Sequence, residues 1–301
     1  MIRTSADIWS SQDLALMSAF RNRFFTTYPE YQLQKPVDIL FDLLKRFDVS
    51  WDDTGTLPDD VFSMHERLSG FSFSGNPKYL ITTDKKTATN DELLLESMFH
   101  EFAHIVLEHA PACAGHSSMS SDPSDFGVFY RVAYDTLFQR SSQGFEHEAD
   151  LMMAVFLFHP YDEFIEDSWR HPLQVRELAR KHMAFEELTA QMLMAHNNGK
   201  VHLFYVDADK NCFIQKYIPY NNGFKDFLDD ETRLLTDSNS AVCRALRTKH
   251  DASADSGKDE PQFHCEAFYL KSSSLRGNRV LVLGTDKSIY EDLMRLATKL
   301  P

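Results

Sequence analysis

The stretch Phe99-His100-Glu101-Phe102-Ala103-His104 limits what this chain can be more than any other part of it. It has the pattern H-E-x-x-H and lies inside the apolar run 93–107, which contains neither Gly nor Pro and is therefore predicted to form one buried helix. On that helix His100 and His104 are one turn apart and point the same way. Two imidazoles on one face, with a carboxylate beside the first, suit a tetrahedral Zn²⁺ that keeps one position open for water.

Glu101 is the expected catalytic base of such a site. It would take the proton from the zinc-bound water, and the resulting hydroxide would attack a carbonyl group. The alternative is a buried helix whose two histidines are hydrogen-bonded to the backbone. That alternative leaves unexplained why ionisable side chains stand in an apolar helix, where they are costly unless they are paired or bound to a metal.

The third metal ligand is predicted on a second apolar helix, residues 144–158. Glu146 and Asp150 are four residues apart and share a helix face, whereas Glu148 points elsewhere. We therefore predict Glu146 as the third zinc ligand, with Glu148 as the second choice. Asp150 is predicted to bond a ligand histidine and to hold it in the required tautomer. The alternative is an ordinary acidic first turn, which the helix dipole favours.

Together the two motifs resemble the ImmA/IrrE family of metallopeptidases. That family carries H-E-x-x-H and then an E-x-x-A-N/D helix that is rich in Ala and Leu and ends at a Pro. Here the second motif follows about forty residues after the first, from Glu146 to Ala154, with Pro160 beyond it. The chain departs from the pattern in having Asp150 where many members have Asn, and in placing Pro160 one residue late. The resemblance extends upstream to the stretch 35–40 and covers about the first two thirds of the chain.

The resemblance implies an α+β fold with a zincin-like minimal metallopeptidase core and the activity of a zinc-dependent endopeptidase. The implied substrate and partner is a helix-turn-helix transcriptional repressor, cut to derepress genes for stress response, DNA damage or anti-phage defence. Two rival functions remain open. One is a non-catalytic, metal-containing regulator that binds the repressor, and the other is a broad-specificity cytoplasmic peptidase.

Two domains are expected from a length of 301 residues. The first, 1–195, is the metallopeptidase domain and ends in a helix-turn-helix-like tail at about 171–195. The second, 199–301, resembles a small GAF/PAS-like α+β sensor domain, expected to gate the first in response to single-stranded DNA or a small-molecule signal. The second helix of the tail carries Glu186 and Glu187 but no Arg or Lys, so packing or dimer formation is favoured over DNA reading.

Smaller elements are predicted on both sides of the metal motifs. Helices are expected at 13–25, 37–47 and 288–300, and strands at 49–51, 70–74, 78–82, 201–206, 212–218, 263–270 and 279–284. The strands 70–74 and 78–82 are expected to form a hairpin around Gly75-Asn76-Pro77. The segment 111–144 is rich in Ser, Asp and Gly and is predicted to be a loop, as is 251–260.

The loop 111–144 contains Cys113, nine residues after His104. A thiolate is a good zinc ligand, so Cys113 is a candidate inhibitory fourth ligand; the alternative is an isolated loop cysteine. Candidates for stabilising the oxyanion are His116, Tyr130, Arg131 and Tyr134, among which the sequence does not choose.

The composition indicates which partners and which cellular location are expected for the protein. The net charge of −14 opposes tight nonspecific binding to nucleic acid and suits a basic partner. No run reaches the roughly 18 apolar residues of a membrane helix, and the N-terminus has no signal pattern, so a cytoplasmic protein without membrane contact is expected. A homo-oligomer is left open.

Overall fold

A computed structural model of the chain describes residues 9–52, 70–74, 79–83, 91–107, 125–133, 136, 144–170, 173–197, 201–210, 212–217, 235, 237–256, 263–271 and 278–297. Contacts divide the chain into two compact units. The N-terminal unit comprises Ser11–Phe164 and Arg180–Phe185; the C-terminal unit comprises Met1–Ser10, Ile165–Ala179 and Glu186–Pro301. The division into domains 1–195 and 199–301 stays a prediction.

The N-terminal unit contains helices and a small sheet. Its elements are helix α1 (Ser11–Thr27), a short 3₁₀ turn (Pro29–Tyr31), helix α2 (Pro36–Arg46), strands β1 (Val49–Asp52), β2 (Gly70–Ser74) and β3 (Tyr79–Thr83), and helices α3 (Asp91–Val106), α4 (Asp125–Ala133) and α5 (Phe145–Leu157). Helix α2 begins at Pro36, since proline needs no amide partner in the first turn, and ends on Lys45 and Arg46, which complement the helix dipole.

The sheet of the N-terminal unit has the strand order β1-β3-β2. Strands β2 and β3 are antiparallel, with Gly70 opposite Thr83 and Ser74 opposite Tyr79, so the predicted pairing is confirmed. The turn predicted at Gly75-Asn76-Pro77 lies outside the described residues. Strand β1 runs parallel to β3, with Val49 opposite Tyr79. The sheet packs on α3, the helix that carries the H-E-x-x-H motif.

A cluster of phenylalanine rings forms the core of the N-terminal unit. Phe156 of α5 meets Phe24 of α1 almost at right angles, with ring centroids 5.0 Å apart. Phe156 also stacks on Phe99 of α3 at 5.1 Å, and both rings are fully buried. Phe20 and Phe129 complete the cluster. The two helices with the metal motifs are therefore held together by the same aromatic core.

The C-terminal unit contains a five-stranded sheet. Helices α6 (Tyr161–Arg170) and α7 (Val175–His182) have residues in both units, and then follow α8 (Glu186–His196), β4 (His202–Asp207), β5 (Cys212–Tyr217), α9 (Ala241–Thr248), β6 (Ala252–Ser256), β7 (Phe263–Leu270), β8 (Arg279–Asp286) and α10 (Lys287–Ala297). The strand order is β5-β4-β8-β7-β6, and every neighbouring pair is antiparallel. Helices together with largely antiparallel sheets place the chain in the α+β class, as predicted.

Helix α9 covers one face of this sheet. It packs on β6, β7 and β8, and its Val242 and Ala245 are buried with Cys265 and Val282 of the strands. Alternate residues of β7 point to this core, as expected for a strand whose side chains alternate between faces. The helix begins where the Ser240 hydroxyl accepts a hydrogen bond from the Cys243 amide at 2.9 Å.

Two segments predicted as loops contain regular structure. Helix α4 lies inside the predicted loop 111–144, because Phe129 and Val132 repeat at helical spacing and are buried. Strand β6 lies inside the predicted loop 251–260. Its sequence Ala-Ser-Ala-Asp-Ser has low strand propensity, but pairing with β7 from Ala252 to Ser256 overrides that preference.

The tail predicted to resemble a helix-turn-helix forms two helices, α7 and α8. The turn between them contains Met183 with φ of 51°. Every residue of α8 from Leu188 to Met194 is buried. In the C-terminal unit, Arg176 of α7 forms two bonds with the Asp251 carboxylate, Nε to Oδ2 at 2.6 Å and Nη2 to Oδ1 at 3.0 Å. These contacts favour a packing role for the helix pair.

Within the parts of the chain that the structure describes, no helix combines the length and the apolar character needed to cross a membrane.

Candidate metal centre

Helix α3 places the two histidines of the H-E-x-x-H motif together. The helix forms because residues 91–106 contain no Gly or Pro and because most of their described apolar side chains are buried, where the helix packs on the sheet and on α5. His100 and His104 are one turn apart, and their rings lie 4.6 Å apart by centroid at an angle of 73°. The Nε2 atoms of the two rings face each other at 2.9 Å. The predicted pair therefore converges on one point.

Helix α5 brings Asp150 to the other side of the His100 ring. Asp150 Oδ1 lies 3.0 Å from Nδ1 of His100, across 50 residues of sequence. The side chains of His100 and Asp150 are 16% and 17% exposed, so solvent reaches the site although most of each side chain is buried. The structure thus brings together His100, His104 and Asp150, while their roles at a metal stay predictions.

The geometry of these three side chains fits a zinc ion. If Nδ1 of His100 donates to Asp150, the lone pair of His100 is on Nε2, the atom that faces His104. Two nitrogens bound to one tetrahedral Zn²⁺ stand about 3.3 Å apart, so a separation of 2.9 Å needs only a small displacement. Imidazole nitrogen is also a preferred zinc donor.

The remaining predicted residues are only partly described. Glu101 lies in α3 beside His100 and is buried, with 8% of its surface exposed. Glu148 is buried in α5. Glu146 lies in the first turn of α5, one turn before Asp150, but its side chain is outside the described part, and Cys113 lies outside it altogether. Among the described side chains, no three His, Cys, Asp or Glu residues are placed to hold one metal ion together, since Asp150 lies on Nδ1 of His100 and not on the side that faces His104.

The oxyanion candidates receive little structural support. Arg131 is described and lies exposed near the end of α4. Of the other candidates, His116 and Tyr134 lie outside the described residues, and so does the side chain of Tyr130.

One buried hydrogen-bonded pair close to these residues was not predicted from the sequence. His147 of α5 and Asp13 of α1 are buried, and His147 Nε2 lies 2.9 Å from Asp13 Oδ1. The available signal was a histidine in the first turn of a largely apolar helix, which needs a partner when it is buried. The two residues are separated by 134 positions in the sequence, so no local pattern identifies which carboxylate is that partner.

A second charged cluster lies in the C-terminal unit around His264 of β7. Nδ1 of His264 is 3.0 Å from Asp255 Oδ1, and Nε2 is 2.8 Å from Glu266 Oε1. The ring stacks on Tyr290 of α10 at 3.6 Å, and Lys287 Nζ lies 2.8 Å from the second oxygen of Asp255. Both ring nitrogens can donate only when the imidazole is protonated. Burial opposes that charge, but the hydrogen bonds to Glu266 and Asp255 outweigh it and raise the pKa of His264.

We expect the C-terminal unit to become less stable as the pH rises, because His264 loses its proton. Because its pKa is raised in the folded state, the stabilisation is complete below the ordinary histidine pKa of about 6.5 and is lost as the pH climbs through the raised value. Urea titrations followed by NMR signals of β7, at about pH 6 and about pH 8.5, measure the loss. His264→Gln should remove most of this pH dependence and exposed His250→Gln should keep it. Equal pH dependence in the two variants would contradict the expectation.

Comparison with known proteins gives a fold but no family. No family model matches the chain, and no curated protein matches it either. Among solved structures, the chain is similar to one described as "Mycobacterium tuberculosis transcriptional regulator", with a TM-score of 0.53 and 13% sequence identity. The similarity covers 98% of this chain and 82% of that one. At this identity the match shows a shared fold and carries no activity with it.

Proposed function

We propose that this chain is a zinc-dependent endopeptidase of the ImmA/IrrE type, in which His100, His104 and Glu146 bind Zn²⁺. The observation that carries the proposal is the pair of Nε2 atoms 2.9 Å apart, with Asp150 on the outer nitrogen of His100. Without a cation, one of these nitrogens must donate to the other. A cation between them uses both lone pairs and gives Asp150 the role of fixing the tautomer.

The chemistry follows from the side chains around the metal position. Bound zinc supplies a Lewis acid that lowers the pKa of a water molecule toward 7. The Glu101 carboxylate accepts the proton of the attacking water and delivers it to the amine nitrogen of the leaving fragment. Asp150 keeps the proton of His100 on Nδ1, so Nε2 stays available as a ligand. Cys113 would act as an inhibitory fourth ligand.

The proposed substrate is a helix-turn-helix transcriptional repressor, cleaved to derepress genes for stress response, DNA damage or anti-phage defence. Two observations support a role in transcriptional control. The structure with a similar fold is described as a transcriptional regulator. The net charge of −14 also favours association with a basic, DNA-binding protein in the cytoplasm.

The C-terminal unit is proposed as a GAF/PAS-like sensor that gates the peptidase. An antiparallel five-stranded sheet covered on one face by α9 supports this proposal. The signal would be single-stranded DNA or a small molecule. The buried α8 supports packing of the helix-turn-helix-like pair within the protein, rather than contact of that pair with DNA.

A cleavage assay tests the proposal. The full-length protein, with one equivalent of zinc or with a chelator, is mixed with the helix-turn-helix repressor encoded beside its gene, with and without single-stranded DNA. We expect one cut in the repressor that requires zinc and is detected by mass spectrometry. Equal cleavage of casein would favour a broad-specificity peptidase. Repressor binding without any cut, by the wild type and by Cys113→Ser, would favour a non-catalytic regulator.

A further inference from the structure

A buried hydrogen bond between Asp13 and His147 joins the first turn of α1 to the first turn of α5. The side chains are 7% and 8% exposed, and the atoms His147 Nε2 and Asp13 Oδ1 are 2.9 Å apart. The position of Asp13 in the first turn of α1 suits a carboxylate, because the helix dipole is positive there. The pair is therefore a directional contact between two helices that also pack through apolar groups.

Aromatic rings also contribute to the contact between α1 and α5. Phe20 and Phe24 of α1 meet the ring of Phe156 edge-on, at 5.9 Å and 5.0 Å between centroids. Apolar packing drives the helices together but is non-directional, so it specifies the rotation of α5 about its axis only weakly. A hydrogen-bonded pair in a dry interface has strict distance and angle requirements. It can therefore select one rotation of α5.

The rotation of α5 decides whether the metal centre is complete. His147 is one residue after Glu146 and three residues before Asp150, which lies 3.0 Å from His100 Nδ1. A side-chain atom about 5 Å from the helix axis moves by roughly 1.7 Å when the helix turns by about 20°. A shift of this size breaks a hydrogen bond of normal length. A contact that fixes the rotation of α5 therefore also fixes the distance between Asp150 and His100.

Stability alone is a weak reason for such a pair. Replacing both partners of a buried polar pair by well-packed apolar side chains is often neutral or stabilising, and the best-attested benefit of keeping such a pair is a defined register. We infer that Asp13 and His147 are positioning residues, which fix the rotation of α5 so that Asp150 meets His100 and the backbone of Glu146 lies in place for metal binding. The inference rests on the proposed function, since it concerns the same zinc site.

The test measures zinc affinity and protein stability separately. The affinity is obtained by competition with a chromophoric chelator, the coordination geometry from the visible spectrum of the Co²⁺-substituted protein, and the stability from the Tm of the metal-free protein. Asp13→Leu combined with His147→Leu should keep or raise the Tm, yet weaken zinc binding about tenfold or more and alter the Co²⁺ spectrum. Asp150→Ala, which removes the acceptor for Nδ1 of His100, is the reference for a direct loss at His100.

Two further substitutions of His147 and one of His159 serve as controls. His147→Gln still donates to Asp13 and should retain nearly wild-type zinc affinity, whereas His147→Met cannot donate and should not. This comparison replaces the double variant if the latter fails to fold. His159 is as buried as His147, and its Nε2 bonds to the Gln32 carbonyl at 3.0 Å after α5 has ended. His159→Leu should therefore lower the Tm without changing zinc affinity.

The possible results distinguish the positioning role of Asp13 and His147 from the proposed zinc-binding function. Wild-type affinity and an unchanged Co²⁺ spectrum in the Asp13→Leu/His147→Leu variant, or in His147→Met, would overturn the positioning role and leave the proposed function standing. Failure of the wild-type protein to bind zinc would overturn the proposed function and the positioning role together.

Discussion

Glu101→Gln is expected to lower the rate of repressor cleavage by about 10²- to 10⁴-fold, with zinc affinity unchanged. An amide has the size and shape of the carboxylate but cannot accept a proton from water. The ligands assigned to zinc, His100, His104 and Glu146, are untouched by the change. The loss should therefore fall on kcat rather than on KM, because the proton is transferred in the transition state and not during binding.

The measurement is single-turnover cleavage by the zinc-loaded protein, with the zinc content determined on the same sample. Glu163→Gln is a suitable control, since Glu163 is an exposed carboxylate of α6 and the chemical change is identical. Retention of cleavage by Glu101→Gln would remove Glu101 from the mechanism. Loss of zinc would show instead that Glu101 supports the metal site. If Glu101→Gln still controls the repressor normally in cells, the non-catalytic regulator becomes the better explanation.

The sequence alone predicted the elements that bear the metal motifs. The apolar run 93–107 contains neither Gly nor Pro, and the run 144–158 contains neither after Gly144. They form α3 and α5 within two residues of the predicted ends. The convergence of His100 and His104 follows from the pitch of one helix, and local rules suffice for it. The contact of Asp150 with His100 was expected from the spacing of a second motif.

Other features depend on partners that are distant in sequence. Strand β6 forms because β7 pairs with it, although its own residues favour a loop. The pair Asp13–His147 spans 134 residues, and no local pattern identifies which of the chain's many carboxylates meets that histidine. The cluster around His264 likewise draws side chains from β6, β7 and α10. Contacts between residues distant in sequence determine these features, and the periodicity of the sequence gives no information about such contacts.

Phe156→Ala is expected to destabilise the N-terminal unit by about 3–5 kcal/mol. The ring of Phe156 is fully buried and contacts Phe20 and Phe24 on one side and Phe99 on the other, so its removal leaves a cavity where α1, α3 and α5 meet. Urea unfolding of the metal-free protein measures the effect. Phe41→Ala is the matched control: Phe41 is 47% exposed and should cost far less, even though its ring lies 6.0 Å from Trp51.

Zinc should restore part of the stability that Phe156→Ala removes. Phe156 stacks on Phe99, the residue before His100, so the cavity lies directly behind the helix that carries the histidines. A ligand that binds only the folded state adds about 2.7 kcal/mol at a free concentration of 100 Kd. The variant should unfold at a higher urea concentration with zinc than without it, and removal of His104 should abolish that difference.

A loss of unfolding free energy below about 1 kcal/mol in the metal-free Phe156→Ala variant would mean that the ring cluster relaxes to fill the space. The aromatic core would then not be what holds the two helices that carry the proposed metal ligands at their present spacing.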